Sequence, residues 1–98
     1  MKISKNVVDS FQVNCPLSSY KCDSYGEIEY KIKRAVSLGK VLVLHNDGSR
    51  TLGYYHLRFV VKNNKVMDLF KTEDDKVINV SEKEKYEYDI INNSTFAA

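Results

Sequence analysis

The stretch Leu52–Lys62, LGYYHLRFVVK, constrains the chain more than any other. Read with the two-residue period of a strand, it separates into two unlike faces. Tyr55, Leu57, Phe59 and Val61 make an apolar side, while Tyr54, His56, Arg58 and Lys62 point the other way with Val60 among them. An apolar side of this kind needs a cover, and the upstream segment supplies one. Ser24 and Glu27 have the spacing of a capping box. Tyr25, Ile28, Ile32, Ala35 and Val36 recur at three- and four-residue steps as a single stripe. Gly39 stands where a left-handed residue commonly ends a helix. The pattern predicts an amphipathic helix over 24–39.

The remaining elements follow from turn chemistry and alternation. Val41–Leu44 is continuously apolar and reads as a strand that is central or covered on both sides. Asn46-Asp47-Gly48 is a turn, and Asn63-Asn64 closes the next strand because Asn tolerates positive φ. Lys65–Lys71 returns antiparallel, with Met67 and Leu69 on one face and Val66 and Phe70 on the other. Thr72–Asp75 reads as a charged turn, Val77–Val80 as a short strand and Tyr86–Ile91 as another alternating strand, with a frayed tail over 92–98. Residues 1–23 form an irregular N-terminal segment. Ser4 caps a short helix or turn carrying Ile3, Val7, Val8 and Phe11, an extended piece runs through Val13, and a loop spans Cys15–Ser24. Short connections then predict a single α+β domain over 1–98. Its architecture is an antiparallel β-meander of four to five strands with one amphipathic helix packed on one face. The strand after Lys76 is the edge open to a partner.

Composition narrows the partners. The 98 residues are 43% hydrophobic and 29% charged, as in ordinary globular proteins. A net charge of +2 and a pI of 8.5 fall short of the strongly basic balance of a dedicated nucleic-acid binder, so nucleic acid is not favoured. No apolar run approaches the roughly 18 residues of a membrane span. The start MKISKNVVDS turns polar too soon for a signal peptide, which makes a cytoplasmic location with reduced Cys15 and Cys22 the expectation. Plentiful Lys, Asn, Ile and Tyr, all with AT-rich codons, point to an AT-rich genome as source, such as a low-GC bacterium, a phage or another mobile element.

Tyr54, His56, Arg58 and Lys62, helped by Tyr86 and Tyr88, are the candidate binding residues. Aromatics beside cations can stack bases along a positive groove. Tyr and Arg are equally the residues enriched at protein–protein hot spots. A ribonuclease-type toxin would use His45 and His56 as base and acid with Arg58, Lys40 or Arg50 beside them, but His45 shares strand parity with Val41 and Val43 and reads as partly buried. Cys15 and Cys22 are separated by six residues, wider than structural zinc spacing, so neither a metal nor a cofactor is expected. The acidic stretches Glu73–Asp75 and Glu82–Asp89 read as a solvated rim. With no catalytic constellation, the sequence favours a binding module over an enzyme. The expectation is a small cytoplasmic protein that docks on another macromolecule, foremost a protein, and inhibits or modulates it. The alternative is a nucleic-acid-binding domain or ribonuclease-type toxin using the Tyr54/His56/Arg58 face.

Overall fold

The computed structural model describes residues 1–15, 24–72 and 76–92. In chain order the elements are β1 (Lys2–Ile3), α1 (Lys5–Asn14), α2 (Tyr25–Leu38), β2 (Lys40–Leu44), β3 (Arg50–Tyr54), β4 (Leu57–Lys62), β5 (Lys65–Lys71) and α3 (Glu82–Ile91). The strands form one sheet in the order β1-β5-β4-β3-β2, antiparallel except that β1 runs parallel to β5. The α+β class holds. The expected pure meander with one helix does not, because β1 is parallel and three helices occur among the described residues.

Helix α2 forms as its pattern dictates. Ser24 Oγ accepts a hydrogen bond from the Glu27 N–H at 3.3 Å, and Ile28, Ile32, Ala35 and Val36 are buried. Gly39 ends the helix in an extended conformation (φ −66°, ψ 161°) rather than a left-handed one. Glycine is needed there for room, since a Cβ would lie 2.9 Å from the carbonyl oxygens of Ala35 and Gly53. Upstream, α1 replaces the expected extended piece, burying Val7, Val8 and Phe11 and leaving Val13 exposed. Together α1 and α2 cover Leu52, Phe59, Val61, Val66 and Leu69 on one face of the sheet.

The stretch Leu52–Lys62 is not one strand. Tyr54 pairs with Leu57, and Tyr55 takes φ 54°, so Tyr55 and His56 form a two-residue turn between β3 and β4. Positive φ lets so short a turn follow the twist of its strands, although neither Gly nor Asn marks this one. Leu57, Phe59 and Val61 keep the helix side as expected. Tyr54 joins them there, because cross-strand partners share a face.

Other turns agree with the sequence. Asn63 and Asn64 close β4–β5 at φ 52° and 60°, and Gly48 completes its loop at φ 88°. A bulge decides the faces of β5. Val61 pairs with Val66 and Val60 with Asp68, leaving Met67 as the extra residue. Val66 and Leu69 are therefore both buried while Met67 and Phe70 are exposed, and the expected grouping of Met67 with Leu69 fails.

Strand β2 is an edge, exposed along its whole length rather than central or doubly covered. The other edge is β1, and among the described residues the segment after Lys76 joins the sheet's backbone pairing at a single Tyr55–Ile78 bridge. Tyr86–Ile91 is helical. Ser81 Oγ accepts from the Glu84 N–H at 3.1 Å and starts α3, with the same Ser-x-x-Glu spacing that starts α2. Helix α3 docks on α2 through a Tyr30–Tyr88 ring contact and through Asp89, which accepts from the Tyr30 hydroxyl and from Arg34 Nη1. Of the expected Cys15–Ser24 loop, Thr72–Asp75 turn and 92–98 tail, residues 16–23 (with Cys22), 73–75 and 93–98 lie outside the described residues. Among the described residues, no helix is long and apolar enough to cross a membrane.

Candidate functional site

The six residues singled out in the sequence do not share a face. Tyr54 turns toward the helices and borders a crevice of about 110 Å³ with Phe11, Cys15, Lys31, Arg34, Ala35 and Leu57. Burial pushes its hydroxyl pKa up, against the opposing pull of Arg34 and Lys85. Burial likewise raises the Cys15 thiol, with Lys71 partly offsetting it. His56 stands exposed in the turn, where its carbonyl accepts from the Thr72 N–H at 2.8 Å.

Arg58 does lie on the helix-free face, but it is 5% exposed and its donors are aimed inward. Its Nη1 reaches the carbonyls of Tyr55 (2.9 Å) and Leu57 (3.0 Å), and its Nη2 reaches that of Lys76 (2.7 Å). The guanidinium ties the β3–β4 turn to the segment 76–80, which lies across that face. Around it, Tyr55 and Ile78 exchange backbone hydrogen bonds, the Tyr55 hydroxyl donates to the Val80 carbonyl at 2.7 Å, and Lys85 Nζ stands 5.2 Å from the Tyr55 ring centre. Gly53 makes room for this strap, since a Cβ there would meet Ile78 Cγ1 at 2.6 Å and Leu42 Cδ1 at 2.8 Å. Lys62 lies at the far end of β4, 3.8 Å from Asp47 Oδ2. Tyr86 is exposed on α3, and Tyr88 packs on Tyr30. What reads as a binding face is a structural clamp with its former members dispersed around it.

The histidines are no closer to chemistry. His45 precedes β3 and His56 follows it, so the imidazoles stand at opposite ends of that strand, roughly 15–20 Å apart at strand rise. His45 is exposed rather than partly buried, with Nε2 2.8 Å from Thr51 Oγ1. Among the described residues, no group of three or more His, Cys, Asp or Glu could hold a metal ion.

An exposed apolar edge lies elsewhere, on β2. Among the described residues this strand pairs only with β3, so its outer row of backbone N–H and C=O groups faces away from the sheet. Such edges are normally short, charged or covered. Here Val41, Leu42, Val43 and Leu44 are 52%, 39%, 47% and 77% exposed. Pairing sets Val41 beside Leu52 and Leu44 beside Arg50 on the helix-bearing face, and Val43 beside Thr51 on the other. A strand laid along this edge would meet apolar side chains on both faces. Cations bracket it, with Lys40 at its start and Arg50 opposite its end. The sequence shows the apolar run but not its position at an edge, and a run of this kind reads most naturally as core. No known protein family, curated protein or solved structure matches the chain.

Proposed function

We propose that the protein is a non-enzymatic binding module that takes an extended segment of another protein onto the edge of β2 and modulates that protein by occupying the segment. The observation that carries this reading is the exposure of four consecutive apolar residues on an edge strand. Strand addition draws affinity from main-chain hydrogen bonds and specificity from alternate side chains. The bracketing Lys40 and Arg50 favour a segment with an apolar centre and acidic flanks. Antiparallel pairing with a second copy would instead bring Lys40 toward the Leu44–Arg50 end of its mate, cation against cation, so a different protein is the better occupant. On this reading the protein acts in the cytoplasm, which the early polar residues of MKISKNVVDS support. The composition supports a phage or mobile-element protein that inhibits a host protein as its concrete form.

Val43→Lys tests this, because an added edge lysine blocks strand pairing at an exposed site without touching the core. The wild-type chain should capture a partner whose binding slows hydrogen exchange at the amides of 41–44, and Val43→Lys should lose that partner while melting as before. Capture unchanged by Val43→Lys, or protection that spares β2, would overturn the assignment.

A further inference from the structure

The far edge of the sheet carries a second feature. Lys2 of β1 stands opposite Lys65 of β5, and Lys65 stands opposite Lys62 of β4. The next row on the same strands, Ile3, Val66 and Val61, turns into the core. All three lysines therefore project from the helix-free face. In-register neighbours hold their Cβ atoms about 5 Å apart, and like charges directly opposite are destabilising. The row is also held in place. Asn63 and Asn64 fix the β4–β5 turn with their positive φ, and the Lys2 N–H donates to the Asn64 carbonyl at 3.1 Å.

Little among the described residues neutralises this row. Among the described residues its ion pairing is limited to Lys62 with Asp47 at 3.8 Å, and the Asp47 carboxylate is already held in its own loop by the N–H and Oγ of Ser49. The lysines border a concavity of about 520 Å³, lined otherwise, among the described residues, by Asn63, Asn64 and Met67 and by no acid. That volume is in the range of small-ligand sites. Ammonium groups donate and cannot accept, and the Asn side chains add both amide donors and carbonyl acceptors. Three cations spread over about 10 Å suit a chain of linked charges better than a single monoanion.

We propose that the Lys2–Lys65–Lys62 row is a binding site for an anion that carries several linked phosphates. It lies across the sheet from β2 and stands independently of the docking reading.

The test uses the full chain and inorganic triphosphate as probe, followed by thermal melting and by amide chemical shifts. Triphosphate should raise the melting temperature at low salt and shift the amides of Asn63, Asn64 and Lys65. Lys65→Gln should melt above wild type without the probe, because the repulsion is relieved, and should weaken triphosphate binding roughly tenfold, the effect of one charge-assisted hydrogen bond. Lys62→Gln should act in the same direction, while Lys83→Gln on α3 should leave the response intact. A single-stranded oligonucleotide is the second arm. Binding through the same lysines that falls about twentyfold between 50 and 200 mM salt, as expected for three neutralised phosphates, would support the site and name a nucleic-acid backbone as the phosphate source. A triphosphate response matched by sodium chloride of equal ionic strength, an unchanged response in Lys65→Gln, or an equal response to oligoglutamate would overturn the proposal.

Discussion

Replacing Arg58 separates a clamp from a contact surface. Its guanidinium is buried and, among the described residues, donates to the carbonyls of Tyr55, Leu57 and Lys76. A hydrogen bond to a charged group contributes roughly 1.5–3 kcal/mol. Nη1 is shared between two of the acceptors, so two full bonds, about 3–6 kcal/mol, is the better count. Removing the side chain also removes the cost of keeping a charge away from water, which returns part of that sum. Arg58→Ala should therefore destabilise the fold by about 3 kcal/mol, a large fraction of the stability of a domain this size. The melting temperature should fall by roughly 15 °C. Part of the loss comes from Tyr55, whose left-handed φ of 54° costs a non-glycine residue energy that the surrounding bonds must hold down.

Urea unfolding followed by circular dichroism gives the magnitude, and hydrogen exchange gives the location. The Tyr55 and Ile78 amides, which bond to each other's carbonyls, should lose protection before the core amides of Phe59 and Val61 do. Arg58→Met keeps much of the volume and loses the fork, so it should recover only the packing share. Arg58→Lys should fall between, because an ammonium cannot reproduce the planar fork. If Arg58→Ala unfolds within about 0.5 kcal/mol of wild type, as a surface substitution does, with Tyr55 and Ile78 still protected, the clamp is wrong. If it also loses a partner, Arg58 returns to being a contact residue.

The α2–α3 junction and the β2–β3 loop offer two further checks. Asp89→Ala strands the Arg34 guanidinium in a largely buried site and should cost about 3 kcal/mol. Much of that should be regained in Arg34→Met/Asp89→Leu, as measured by a thermal double-mutant cycle, and a cost below about 1 kcal/mol for the single variant would remove the pair from the docking of α3. Asp47 has its carboxyl held below the usual 3.8 by hydrogen bonds from the side chain and backbone of Ser49. A depressed folded pKa means its contribution is present above the unfolded value and is lost as pH falls through the folded one, so the effect belongs below about pH 4. Carboxyl carbon shifts should place its midpoint under 3.8, and Ser49→Ala should move it upward; an unmoved midpoint would contradict the assigned cause.

Much of the scaffold is legible in the sequence because its signals are local. Helix α2 can be read from Ser24, Glu27 and a stripe with a single period, and Asn63-Asn64 and Gly48 announce their turns. The β3–β4 turn cannot be read this way, because Tyr55 takes positive φ without being Gly or Asn and is held there by bonds to Ile78 and Val80, more than twenty residues away. That one turn moves Tyr54 across the sheet and dissolves the expected face. In α3 the Ser81–Glu84 cap was available, but the helix docks through Tyr88 and Asp89 and leaves Ile90 and Ile91 exposed, so no apolar stripe competes with the alternation of Tyr86, Tyr88 and Ile90.

The candidate surfaces were hidden for a different reason. Both depend on which strands neighbour which, a property that no local pattern carries. A two-residue turn already implies that Lys62 faces Lys65, but Lys2 joins them only through the parallel β1–β5 pairing. In β2 the ambiguity is deeper. The run Val41–Leu44 looks the same whether its cover is the rest of the fold or a partner, because apolar burial depends on area removed from water and not on which molecule removes it. Sequence patterning can therefore say that this strand seeks a cover. Only its place at the end of the order β1-β5-β4-β3-β2 shows that the described fold leaves much of that strand exposed.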